Sequence, residues 1–351
     1  MAISRRKFMQ GSASLLAAPT LLGSTGARAQ DTVTLKLHHF LPPVSNVHSK
    51  LLEPWAKQVA ADSGDKLKIE IYPAMQLGGK PPQLYDQARN GVVDIVWTLP
   101  GNTPGRFPST EVFELPFVAA SKATANAPAA QEYGEANLAK ETADVKLLSF
   151  WAHDQGLIHT NKPIAKMEDL AGLKLRNPTR LAGEALSALG AVSVSMPVPQ
   201  TPEALAQKVI DGAVIPWEVV PSIKVDELTK YHTSVPGTPT LYTATFFLAM
   251  NKDRYAGLPD DLKAVLDKNS GMTFAKLAGR MWDDVGTQVA EKVKASGKNT
   301  VSEISEEEKA RWVEATKPVR DKWVEDMKGK GLDGAALLEQ AKTLITKYSA
   351  A

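Results

Sequence analysis

The stretch with the most pointed chemistry is Gly172-Leu173-Lys174-Leu175-Arg176-Asn177-Pro178-Thr179-Arg180. It reads as a short apolar strand that delivers one guanidinium, Arg176, at its end. There Pro178 stops the strand and holds Asn177 extended. A planar fork of donors matches a carboxylate at two points and stays charged at any relevant pH, so Arg176 is suited to grip an organic acid at a cleft. The other groups with chemical potential are His153 with Asp154, Glu218, and the pair His38-His39. No serine or threonine sits in a nucleophile elbow, and without a nucleophile, metal cluster or paired-carboxylate spacing His153, Asp154 and Glu218 make a weak case for a secreted hydrolase or lyase. Adjacent strand residues point to opposite faces, which argues against a metal shared by His38 and His39. The chain has no cysteine, so thiolate metal sites, iron–sulfur clusters and disulfides are excluded. No cofactor is expected.

Such a guanidinium needs a scaffold, and the chain alternates strand and helix patterns. Val33 to Phe40 reads as a first strand, a helix capped by Asn46 runs to Gly64, and Lys68 to Tyr72 reads as a second strand. That order argues for parallel α/β sheets, whose ligands sit beyond the carboxyl ends of the strands. Phe40 lies at such an end, as does Trp97 on the third strand, Asp94 to Pro100, and Trp151 on the strand from Val145. Phe246 lies on a returning strand, Tyr242 to Met250. Beyond Arg176, Val192 to Met196 is a strand, and Val209 to Glu218 carries Ile215 and Trp217 at its end. His153 is read either as a neutral donor to the ligand or as a satisfied core histidine. From Leu262 to Val293 the apolar spacing keeps to one face of a long helix.

Ser4-Arg5-Arg6-Lys7-Phe8, a mild apolar run and Ala27-Arg28-Ala29 have the build of a twin-arginine export signal cleaved after residue 29. Removing Arg5, Arg6, Lys7 and Arg28 takes the basic count from 41 to 37 against 39 acidic residues. The mature chain is then slightly acidic, with no footprint for nucleic acid. No later segment has a transmembrane length, so a periplasmic product, not embedded in the membrane, is expected.

The run Asn161-Lys162-Pro163-Ile164, Asp169 to Arg176, the Asp211-Gly212 segment and Asn251 followed by Leu258-Pro259 resemble the substrate-binding proteins of TRAP transporters, of the C4-dicarboxylate-binding type. The resemblance covers essentially the whole mature chain. It implies a two-lobed periplasmic-binding-protein fold, each lobe a mixed, largely parallel sheet flanked by helices, with a long helix spanning both. Expected boundaries are 30–152 with 241–281 for the first lobe and 153–240 with 282–351 for the second. The implied function is closure on a small organic acid and delivery to TRAP membrane permease subunits, without catalysis. Two departures shape the expected ligand. The family's second arginine near residues 151–160 is missing, which argues against a diacid. Where the family commonly has Asp-Gly-Gln-Glu-Asn-Pro, this chain has Asp211-Gly212-Ala213-Val214-Ile215-Pro216, then Trp217. An apolar wall with an indole nearby favours a flat acid. The expected ligand is an aromatic or arylaliphatic monocarboxylate such as a 2-oxo or 2-hydroxy acid, with a small aliphatic keto acid as runner-up. Expected contacts are Arg176, Asn177, Trp217, Phe40, Trp97, Trp151, His153, Ile215 and Phe246.

Overall fold

The computed structural model describes residues 32–350, so the twin-arginine segment lies outside the described residues. Two mixed sheets organise the chain. The first has five strands in the order β2-β1-β3-β10-β4: β1 (Val33–His38), β2 (Leu67–Tyr72), β3 (Ile95–Thr98), β4 (Val145–Ala152) and β10 (Thr245–Asn251). The second has six in the order β11-β9-β5-β8-β6-β7: β5 (Leu157–Thr160), β6 (Lys174–Asn177), β7 (Val192–Ser195), β8 (Gly212–Ile215), β9 (Tyr231–Ser234) and β11 (Thr300–Glu303). In the first sheet β1 pairs parallel with β2 and β3, while β10 runs antiparallel between β3 and β4. In the second, β6 pairs parallel with β7 and β8, and β5 runs antiparallel to β8. The carboxyl ends of β1, β3 and β4 therefore share one edge with the start of β10, and those of β6, β7 and β8 share an edge of the other sheet.

Beyond strand–helix alternation, several details differ from expectation. Asn46 does not cap its helix: its own backbone is helical, and its amide donates to the carbonyl of Glu218 at 2.8 Å. A π-helical stretch, Val47–Leu52, leads into the helix Glu53–Asp62. The long helix is interrupted at Asn269-Ser270, giving Asp260–Lys268 and Gly271–Ala295. The second piece packs against β4 and β11, and so reaches from one sheet to the other. Short, polar β9 and β11 were missed because neither alternates; they pair in parallel at the sheet edge. Helix Gly334–Ser349 packs on helix Ala123–Asn137 beside the first sheet, where Lys347 and Tyr348 both bind Glu132, at 2.7 and 2.6 Å.

Side-chain contacts tie the halves across the cleft. Arg180 forks onto Glu111 at 2.6 and 3.3 Å, and Glu218 receives Asn46. No helix among the described residues is long and apolar enough to cross a membrane.

Candidate functional site

The facing sheet edges enclose a cavity in which the space open to the centre of a water-sized sphere is about 50 Å³. That is several times what one water needs. Six residues singled out from sequence meet on its wall: Phe40, Trp97, His153, Arg176, Ile215 and Phe246.

Arg176 is fixed by its neighbours on both sides. Strand pairing sets it opposite Val194 of β7 and Ala213 of β8. Its Nε donates to the Met196 carbonyl at 2.9 Å and its Nη1 to the Val214 carbonyl at 3.2 Å. The residue is only 4% exposed, and no carboxylate among the described residues pairs with it. Arg180, one turn on, is satisfied by Glu111 and Glu184. Burial lowers the Arg176 pKa to about 10, which leaves the guanidinium charged at neutral pH. A buried charge without a partner is costly, so the arrangement is poised for an anion.

The apolar wall is a column of rings. Trp97 stacks on Phe40 with centroids 4.7 Å apart and on Phe246 at 5.3 Å, and Phe246 stacks on Trp151 at 5.5 Å. Register explains the column: Phe246 pairs with Trp151 between β10 and β4, while β10 also pairs with β3, which carries Trp97. Trp151 is the sealed end, fully buried behind Phe246 and not on the cavity wall. It supports the column from behind.

Two more expected contacts lie elsewhere. Asn177 spends its amide on Thr179 O and Ser195 Oγ, both at 2.8 Å, and its oxygen accepts from Ser193 Oγ at 2.8 Å. It pins the corner that Pro178 creates. Trp217 packs against the rings of His159 and His232, with centroids 5.4 and 5.0 Å away. After β8 the chain turns at Pro216 into the 3-10 helix Trp217–Ile223, which gives Glu218 and Val219, in place of Trp217, to the cavity.

His153 lines the cavity with both ring nitrogens already used. Nε2 accepts from the Ala244 N–H at 2.9 Å, and Nδ1 lies 2.5 Å from the Asp154 carbonyl, so Nδ1 carries the proton. Burial drops its pKa to about 3, which keeps it neutral. Of the two sequence readings, this is the satisfied core histidine, and it leaves no nitrogen for general-base work.

Among the cavity residues not singled out as ligand contacts are Tyr242, Trp282 and Glu218. Tyr242 Oη is buried without a hydrogen-bond partner; burial pushes its phenol up and keeps it a neutral donor, with the Arg176 guanidinium acting more weakly the other way. The indole N–H groups of Trp97 and Trp282 are likewise unpaired. Orphaned donors around a buried cation suit an anion with hydrogen-bonding oxygens. The sequence reading starts the returning strand at Tyr242, but β10 begins at Thr245 and Tyr242 stands in the crossing before it, where strand alternation does not set its face. Its ring is held against Gly156, where a Cβ would fall 1.9 Å from Cε1 and 2.5 Å from Oη. Gly156→Ala must therefore displace the phenol; the expected cost is about 1–3 kcal/mol of stability, with acid binding about tenfold weaker. Calorimetric melting and titration would test this, and unchanged values in both would show that Tyr242 is not held by this contact.

The comparisons with known proteins agree with this geometry. The family model for bacterial extracellular solute-binding proteins, family 7 (DctP), matches residues 37–326. A TRAP solute-binding protein from Rhodoferax ferrireducens T118, solved with copurified benzoate, is 45% identical; the match covers 91% of this chain and 99% of that one, with a TM-score of 0.87. A marine metagenome TRAP solute-binding protein specific for aromatic acid ligands, solved with 3-hydroxybenzoate, is 46% identical, with 91% and 99% covered and a TM-score of 0.88. A TRAP periplasmic protein from Bordetella bronchiseptica, solved with (R)- and (S)-mandelate, is 30% identical, with 90% and 99% covered and a TM-score of 0.82. Family and neighbours alike are solute-binding proteins, and with two sheets meeting over one buried, unpaired guanidinium this chain belongs to the family 7 solute-binding proteins, the substrate-binding proteins of TRAP transporters.

Proposed function

We propose that the protein is a periplasmic receptor for an aromatic or arylaliphatic monocarboxylate, which it encloses between its lobes and hands to TRAP permease subunits without altering it. The observation that carries this reading is Arg176, a buried cation with two backbone carbonyl contacts and no acidic partner among the described residues. Arg176 and Tyr242 hold the carboxylate, and the Phe40–Trp97–Phe246 column with Trp282 and Ile215 covers the ring. Charged hydrogen bonds contribute about 1.5–3 kcal/mol each. Micromolar affinity needs about 8 kcal/mol, so ring burial supplies the remainder. With one unpaired guanidinium in the cavity, a monocarboxylate is favoured over a diacid. The complexes of related proteins with benzoate, 3-hydroxybenzoate and mandelate support the same class. Lobe boundaries near residues 152 and 241, where the chain passes between sheets, suit a hinge at those crossings. Export by the twin-arginine segment at Arg5-Arg6 would deliver the folded receptor to the periplasm.

A thermal-shift panel tests the reading. Benzoate, phenylacetate and mandelate should raise the melting temperature, since ligand at one hundred times Kd stabilises by about 2.7 kcal/mol. Succinate, pyruvate and sugars should have little effect, and the ring acid should be recovered chemically unchanged. Stabilisation by sugars or amines alone would sink the anion reading, and turnover would sink the receptor reading.

A further inference from the structure

The cavity has a second polar group. Glu218 lines it and is 2% exposed. Its Oε1 accepts from the Val47 N–H at 3.2 Å, and its backbone carbonyl accepts from Asn46 Nδ2 at 2.8 Å. Its Oε2 has no hydrogen-bond partner among the described residues. Asn46 and Val47 hold Glu218, whereas the Met196 and Val214 carbonyls hold Arg176, so carboxyl and guanidinium reach the one cavity from different anchors. Asp154 is buried too, with Oδ1 unpaired.

Burial first, and the Asp154 carboxyl second, raise the Glu218 pKa to about 8, so it is chiefly a neutral acid at pH 7. With Oε1 committed to accepting from Val47, the proton belongs on Oε2. The result is a donor on the cavity wall with no acceptor among the described residues, held from the Asn46–Val47 side and not by the segments that hold Arg176. An acceptor on the ligand satisfies this donor inside the cavity.

We propose that Glu218 is a specificity-determining residue of this cavity: it hydrogen-bonds a hydroxyl on the ring of the bound acid, meta or para to the carboxylate, and excludes a second carboxylate. This rests on the reading of Arg176 as the carboxylate holder. An ortho hydroxyl stays beside Arg176 and gains nothing from Glu218. A second carboxylate would have to stay charged and desolvated there, with one neutral hydrogen bond from Glu218 and no guanidinium to match it.

Titration calorimetry at pH 7 with benzoate, the three hydroxybenzoates and isophthalate decides the matter. In the wild type, 3- or 4-hydroxybenzoate should bind about tenfold tighter than benzoate, as one recovered hydrogen bond allows. The ortho isomer should bind no tighter than benzoate, and isophthalate should bind far more weakly. In Glu218→Leu the ratio of hydroxybenzoate to benzoate affinity should fall to about one. Glu218→Gln keeps an N–H donor and should keep the preference. A wild type that does not discriminate, a ratio untouched in Glu218→Leu, or isophthalate bound as well as benzoate overturns the proposal. If the leucine variant does not fold, the wild-type ratios across the isomers and the glutamine variant still decide it. Failure of every ring acid to bind the wild type removes instead the reading of Arg176 and the ring column.

Discussion

Arg176→Met is expected to weaken binding of a ring acid by more than about a hundredfold, because taking one partner from a buried ion pair costs about 3–5 kcal/mol. The same substitution should leave the melting temperature of the unliganded protein level or higher. Arg176 is buried without an acidic partner, so the unliganded fold carries its desolvation cost with only the Met196 and Val214 carbonyls in return. Loss of binding without loss of stability separates a ligand-holding charge from a structural one. Arg176→Lys should also bind poorly, since a compact ammonium cannot keep both carbonyls and present two parallel donors. Between pH 6 and 8 the wild-type guanidinium stays protonated, well below its pKa of about 10, and contributes no pH dependence. Titration calorimetry and melting curves on the three proteins check this. Binding by Arg176→Met within tenfold of the wild type would place the carboxylate elsewhere.

Trp97→Ala is the second large effect expected. Trp97 is 1% exposed and sits between Phe40 and Phe246, with His39 against its edge at 5.8 Å. Emptying that position should destabilise the protein by about 3–5 kcal/mol, as other buried aromatic truncations do. It should also weaken benzoate-type ligands, because the wall against which the ring packs is gone. Trp97→Phe keeps a ring in the column and should lose less of both. The reading predicts a matched order, wild type above phenylalanine above alanine, in denaturant midpoint and in affinity for ring acids. Affinities that stay level while stability falls would show that Trp97 supports the fold without forming the ligand wall.

The site was partly legible because some of its members announce themselves locally. Arg176 precedes a proline at a strand end, and Phe40, Trp97 and Phe246 sit on apolar strands near their cleft ends. Trp151 and Trp217 carry equally strong local signals and are not on the wall. Trp151 faces Phe246 across the β4–β10 ladder, with Phe274 and Trp282 around it, and these rings keep it off the cavity wall. Trp217 is turned away by the 3-10 helix after Pro216, so the next residue, Glu218, takes the cavity place. One step in a tight helix changes the face, and composition carries no trace of it.

Strand–helix alternation, the absence of cysteine, one arginine at a strand exit and the apolar segment at Ala213 to Ile215 are local properties, so the chain alone determines the α/β class and the absence of thiolate chemistry and carries the expectation of an apolar acid. The meeting of Arg176 and Tyr242 on one cavity wall, the anchoring of Glu218 by Val47 and the docking of helix Gly334–Ser349 on the first sheet's side join residues far apart along the chain. Strand register and the packing of two sheets over a cleft decide them. Which polar groups are buried without a partner depends on what every neighbouring segment fails to supply, and only the folded arrangement of those segments sets that.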